Sequence, residues 1–144
     1  MIPREYTCDE PTINESPQLN WKGAPANTQG YAIIVEDVDA PKGVWTHWVL
    51  YQIRAAITEI NRGGQIFNAQ LGSNSWGNEK YQGPCPPKKD KAHHYHFRVF
   101  ALDRYLSDLK PGATRKELLN AMEGHILAEG DLVGLYKRTE SVFK

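Results

Sequence analysis

From Tyr95 to Ala101 the chain alternates with a period of two. Tyr95, Phe97, Val99 and Ala101 fall on one side of an extended backbone, and His94, His96, Arg98 and Phe100 on the other. A helix cannot sort residues in this way, so the segment is predicted to be a strand. A second run, Gly30-Tyr-Ala-Ile-Ile-Val-Glu36, is β-branched and of strand length. It stops at Asp37-Val38-Asp39-Ala40-Pro41-Lys42-Gly43, a string of turn formers. Further strands are predicted over Thr46–Ile53 and over most of Ile126–Arg138, where Gly130 and Gly134 permit a bulge or a close approach.

Helical signal is confined to one place. Thr114-Arg-Lys-Glu117 is a capping box after the Pro111-Gly112 turn, with Leu118, Leu119 and Met122 as the buried stripe and Gly124 as the stop. Residues 1–30 are predicted to be irregular or edge-strand structure, anchored by Leu19 and Trp21. Residues 54–91 are rich in Gly and Pro and read mostly as loop. A loop of that length inside a compact domain is usually functional or disordered, and Phe67, Trp76 and Tyr81 favour the ordered, functional case. The fold class expected is mainly β: an antiparallel sandwich with one or two peripheral helices.

The 144 residues suit one domain, since a domain holds ~100–200, so residues 1–144 are expected to form a single unit. Lys plus Arg and Asp plus Glu each total 17, giving zero formal charge. This argues against nucleic acid, which needs clustered positive charge. Even the most basic stretch, Lys88-Lys89-Asp90-Lys91, contains an acid. There is no apolar run of ~18 residues to cross a bilayer, and no export signal at Met1–Tyr6. A cytoplasmic address without membrane insertion is therefore expected. Cys8 and Cys85 lie far apart in sequence; they could meet in space, but two thiols give no disulfide framework.

The chemistry-bearing residues gather at strand ends. Asp37 and Asp39 are two apart and point the same way on an extended backbone, and a hairpin turn would return His47 close to them. His93 and Tyr95 share a face at the start of another strand, approached by the stiff Gly83-Pro84-Cys85-Pro86-Pro87. Asp39 is more ordinarily a turn or capping residue, and a histidine among aromatics such as His47 is more ordinarily packed core. His93, His94 and His96 suggest a metal by composition, yet alternation divides them between faces, so no metal or other cofactor is expected. Ser73, Ser75 and Cys85 lack a nucleophile elbow, and the glycine spacing matches neither a P-loop nor a dinucleotide fingerprint. Imidazole N–H groups, a Tyr hydroxyl and loop N–H groups remain as donors to a phosphate or carboxylate. Nearby aspartates would hold both imidazoles in a donating tautomer and raise their pKa values.

These motifs resemble the phosphatidylethanolamine-binding protein family. Asp37-Val38-Asp39-Ala40-Pro41 with Trp45-Thr46-His47-Trp48 is similar to its first hallmark, D-P-D-A-P then H-W. Tyr81-Gln82-Gly83-Pro84-Cys85-Pro86-Pro87 with His93-His94-Tyr95 is similar to its second, Y-x-G-P-x-P-P then H-R-Y. Tyr6–Asp9, Ser16–Trp21 and Gly124–Ala128 resemble the short prokaryotic, Raf kinase inhibitor-like branch, so the likeness spans nearly the whole chain. It implies a large antiparallel sheet packed on a smaller one, with a shallow anion pocket at one end. By motif position the walls would be Asp37, Ala40, Pro41, Trp45, His47, Tyr81, Gly83, Pro86, His93 and Tyr95. His47 and His93 would grip the anion, Asp37 would orient an imidazole, and Tyr95 would close the side. The resemblance makes Ala40–Pro41 a candidate cis bond, which the sequence itself leaves open. Three residues depart from the pattern: Val38 for proline, His94 for arginine and Glu10 for glycine. The chain ends at Lys144 without the C-terminal helix that lines the pocket in longer eukaryotic relatives, so the pocket is expected to be open or covered by a second subunit of a homodimer.

The function expected is non-enzymatic binding of a small anion: phosphate, phosphorylethanolamine or an acetate-like group. The alternative is inhibition of a kinase or serine protease through a surface loop. A third reading, less favoured, is a metal-dependent hydrolase or a thiol enzyme using Cys85. A lipid partner would be met only through its headgroup, because no basic amphipathic helix is present.

Overall fold

The computed structural model describes residues 1–64 and 69–139. The described residues form strands β1 (Leu19–Asn20), β2 (Gly30–Asp37), β3 (Trp45–Arg54), β4 (Glu59–Ile60), β5 (Gln70–Leu71), β6 (His93–Leu102) and β7 (Ile126–Tyr136), one α-helix, α1 (Arg115–Met122), and a short 3-10 helix at Arg4–Tyr6. Five strands form an antiparallel sheet in the order β5-β3-β2-β6-β7, and β1 pairs with β4 as a separate two-stranded sheet. The mainly β, two-sheet architecture is the one expected. Phe67 lies outside the described residues.

The centre of the large sheet explains the sequence pattern. Strand β2 is buried at every position because it pairs on both edges and is covered on both faces. Its β-branched run therefore need not alternate. Ile33 and Val35 point to one face and join Tyr95, Phe97, Ala101 and the small sheet's Ile60, with Leu19 and Trp21 packed alongside. Ala32 and Ile34 point to the other and join Phe100, Leu102 and helix residues Leu118 and Met122. Truncating either helix residue to Ala is expected to cost about 2–5 kcal/mol. Thr114 and Glu117 form the capping box in both directions, and Gly124, at φ +79°, takes the left-handed conformation that ends the helix.

Two covalent features that the sequence leaves open are visible in the structure. Cys8 and Cys85 are joined in a disulfide, so Cys85 is not a free thiol and the thiol-enzyme reading loses its nucleophile. Sequence separation hid this pairing. The N-terminal segment folds back until Cys8 N–H donates to Pro84 O at 3.2 Å, and Gly83 permits the approach because a Cβ there would sit 1.9 Å from Tyr6 O. Persisting disulfides belong chiefly to oxidising compartments and to the interiors of hyperthermophiles. The Ala40–Pro41 bond is trans, and no cis peptide occurs among the described residues. The tight turn is made instead by Gly43, whose N–H reaches Ala40 O while its φ is +108°. No described helix is long and apolar enough to cross a membrane.

Candidate functional site

At one end of the large sheet the termini of β2, β3 and β6 lie side by side. Register places Asp37 between Trp45 and Tyr95, so the two sequence hallmarks meet across the central strand. A cavity of about 320 Å³ opens there. Of the ten residues expected, eight line it: Asp37, Ala40, Pro41, Trp45, His47, Pro86, His93 and Tyr95. Tyr81 and Gly83 stand behind the wall. The Tyr81 hydroxyl donates to Tyr6 O at 2.7 Å, and Gly83 N–H donates to Asn14 Oδ1 at 2.9 Å. Burial pushes the Tyr81 phenol well above its ordinary pKa, so it serves as a fixed neutral donor that holds the proline segment in place.

The two imidazoles are held differently. His93 Nδ1 lies 2.6 Å from Asp37 Oδ2, and Nε2 lies 2.9 Å from Asp90 Oδ2. A carboxylate only accepts, so both ring nitrogens must carry protons and the ring is an imidazolium. Burial opposes that charge, but hydrogen bonds to Asp37 and Asp90 outweigh it and raise the His93 pKa. His47 Nδ1 lies 2.6 Å from the carbonyl of Gln82. A carbonyl also only accepts, so the proton sits on Nδ1 and the neutral ring leaves Nε2 as a bare acceptor. Burial lowers the His47 pKa, outweighing the Gln82 carbonyl and the Asp37 charge. This corrects the expectation that aspartates raise both imidazoles: His93 is hydrogen-bonded to two carboxylates, whereas His47 feels only the Asp37 charge, which burial outweighs.

Tyr95 lies between them, 0% exposed. Its ring meets the His47 ring edge-on at 5.3 Å and lies nearly parallel to His93 at 6.4 Å. Its hydroxyl has no hydrogen-bond partner among the described residues. Burial, then the Asp37 charge, drives its pKa far upward, so the O–H is kept. Close contact with the Asp37 carboxylate contributes to that rise as well, so the hydroxyl lies against the carboxylate.

Two contributors lie outside the ten expected residues. Trp76 stands edge-on to both Trp45 (5.4 Å) and His47 (5.0 Å). It is held by Asn74, whose side-chain oxygen accepts from Trp76 N–H at 3.0 Å, and by Ser75, whose Oγ accepts from Thr46 N–H at 2.8 Å. The Asn-x-Trp-Gly spacing, which makes a side-chain-capped turn, was the available signal. Asp90 is the acid within the basic stretch Lys88–Lys91. Its N–H closes a turn onto Pro87 O, which brings its carboxylate to His93. Of the departures from the family pattern, His94 still anchors the turn: its N–H and Nδ1 both reach Asp39 Oδ2, at 2.7 and 2.6 Å. Asp39 N–H in turn donates to Asp37 Oδ1 at 2.8 Å, so the turn keeps its shape with Val38 in place of proline. Among the described residues no three His, Cys, Asp or Glu side chains are placed to share one metal ion.

The family model for phosphatidylethanolamine-binding protein matches residues 1–137. The chain belongs to that family. A UPF0098 protein of Pyrococcus horikoshii is 47% identical, the match covering 95% of this chain and 71% of that one. A UPF0098 protein of Methanothermobacter thermautotrophicus is 44% identical, with 95% and 91% covered. Among solved structures, a phosphatidylethanolamine-binding protein homologue from Chlamydia trachomatis superposes with a TM-score of 0.87 at 38% identity, covering 95% of this chain and 89% of the other. YbcL of E. coli, described as a member of the mammalian family, gives 0.89 at 28% identity, covering 96% and 92%.

Proposed function

We propose that this protein is a non-enzymatic binding module whose cavity at the sheet end takes a small phosphate-bearing group. The observation that carries the reading is a cavity lined by the buried imidazoles of His47 and His93, with the Lys42 and tryptophan side chains also in its wall. The remaining wall is apolar and rigid: Pro41, Pro86 and Pro87 with Trp45 and Trp76. Such a wall excludes water and strengthens each polar contact made inside. It also accepts an ethanolamine-like cation against the tryptophan faces. His93 supplies positive charge, and Asp37 fixes its orientation.

The reading is tested by amide NMR titration with phosphorylethanolamine and inorganic phosphate. Saturable shifts are expected at Asp37, His47, Trp76 and Tyr95, with the apparent affinity reduced at least tenfold in His93→Gln. Absence of a saturable shift at millimolar ligand would refute it.

A further inference from the structure

Cys85, Pro86 and Pro87 make one wall of the cavity, on the side of His93 and Tyr95. Pro84, Pro86 and Pro87 have no N–H to give, so the segment cannot be held by a ladder of backbone bonds. Among the described residues its backbone is tied at two carbonyls: Pro84 O accepts from Cys8 N–H at 3.2 Å, and Pro87 O from Asp90 N–H at 3.0 Å. The remaining tie is the Cys8–Cys85 disulfide. Its other end is well anchored. Ile2 N–H donates to Leu135 O at 2.8 Å, Asp9 accepts from the Tyr136 hydroxyl and from Arg138 Nε, and Thr7 is fully buried. The disulfide therefore fastens a wall with few bonds of its own to a segment fixed on the end of β7. The turn that follows the wall carries Asp90 to His93 Nε2 at 2.9 Å, so the second partner of His93 depends on the same fastening.

The bond is also within reach of a reagent. Cys85 is exposed and Cys8 half-buried, and exposed disulfides are the labile ones. Lys42 and the His93 imidazolium stand in the same cavity wall, where they attract an anionic thiolate. Resting on the phosphate-pocket reading, we propose that the Cys8–Cys85 disulfide is a redox control on the cavity: bonded, it holds the wall that encloses the ligand, and as two thiols it lets that wall loosen and the affinity fall. The reductant is a dithiol. One of its thiolates attacks Cys85 Sγ, the S–S bond breaks, and Cys8 leaves as a thiolate that takes up a proton. The second thiol then gives up its proton, closes on the mixed disulfide and releases Cys85, which is protonated in turn. Two electrons pass to the protein, and the dithiol ends as a cyclic disulfide. Upstream ties survive reduction, from the Tyr81 hydroxyl to Tyr6 O and from Gly83 N–H to Asn14 Oδ1, so the loosening stays local to the wall.

Such coupling is reciprocal. A ligand that prefers the bonded form must make the disulfide harder to reduce by the same factor. The test is an amide NMR titration of the full chain with phosphorylethanolamine, first oxidised and then in excess dithiothreitol. Reduction should weaken binding about tenfold, inside the ~5–150-fold span of ordinary couplings, while the amide signals of β2 and α1 keep their dispersion. Cys8→Ser with Cys85→Ser should bind like the reduced chain whether or not dithiothreitol is present. In buffers of reduced and oxidised dithiothreitol, saturating ligand should raise the ratio needed for half-reduction by the same factor, read by thiol alkylation and mass. Equal affinity of the two redox forms would overturn the proposal and leave the pocket standing. So would a half-reduction ratio that ligand does not move. Collapse of the whole amide spectrum on reduction would also overturn it, making the bond a structural staple only. Failure of the oxidised chain to bind would remove the pocket reading itself, and this inference with it.

Discussion

Glu36 and Asp37 are consecutive on β2 and both are buried, yet they point to opposite faces of the sheet and are neutralised by different chemistry. Glu36, on the helix side, is met by Arg98 at 2.6 Å and Arg115 at 2.5 Å. Asp37, on the cavity side, is met by His93 at 2.6 Å. Arginine stays charged at any pH a cell reaches. The helix-side cluster therefore pins the first turn of α1 to the sheet as a fixed structural joint. Histidine changes charge near neutrality. The cavity-side pair is thus the one whose state a proton or ligand can alter. The same strand presents a permanent joint on one face and a responsive one on the other.

The comparison can be broken in several ways. The largest effect should come from removing the covalent tie that only the cavity side has. The disulfide closes a loop of sequence separation 77, so reduction, or Cys8→Ser with Cys85→Ser, should cost about 4 kcal/mol in denaturant melts. Hydrogen exchange should rise around residues 82–87 and stay unchanged in α1; equal loosening of both faces would erase the distinction. Glu36→Ala should cost about 3 kcal/mol, and the loss should be nearly the same from pH 5 to pH 8. A pH-dependent loss would show that the joint is not the fixed one described.

His93→Gln should cost about 2 kcal/mol at pH 5.5 or so, since its hydrogen bonds are charge-assisted. The folded pKa of His93 is raised. Its stabilisation is therefore complete below the unfolded imidazole value of about 6.5, and is lost as pH rises through the folded value. The variant should lack that alkaline-side decline. His47 works in the opposite sense. Its folded pKa is lowered, so its neutral burial becomes a penalty as pH falls below about 6.5, and this acid-side decline should survive in His93→Gln. The smallest effect belongs to Asp90→Asn, which should change stability by less than about 1 kcal/mol because that carboxylate is partly exposed. It should lower the pKa of His93 and leave that of His47 unmoved, as read from imidazole proton shifts.

Most of the fold was legible because period two and turn chemistry are local. The alternation of β6, the β-branched run of β2 and the capping box of α1 each state their structure within about ten residues. Four cavity residues, Asp37, His47, His93 and Tyr95, were legible for a related reason: they sit at strand ends, where one hairpin and one sheet neighbour bring them together. Ala40, Pro41, Trp45 and Pro86 came only with the family resemblance. Contacts set by long loop closures were not. The Cys8–Cys85 bond depends on the N-terminal segment returning across the sheet end. Trp76 reaches the cavity only because Asn74 and Ser75 tie its loop to β3. Asp90 looked like one charge in a solvated run, since nothing nearby in sequence shows that a turn aims it at His93. The charge states of the imidazoles followed from these same contacts, so residue types alone misassigned His47.

The most direct test of the account is a ¹H–¹⁵N correlation of the histidine side chains at pH 6.5 or so, the ordinary imidazole midpoint, recorded before and after saturating phosphorylethanolamine. The expected result is His93 mostly protonated on both nitrogens and His47 mostly the neutral Nδ1–H form, with the His47 Nε2 signal moving when ligand is added. A neutral His93, or a His47 whose signals do not change at saturation, would contradict it.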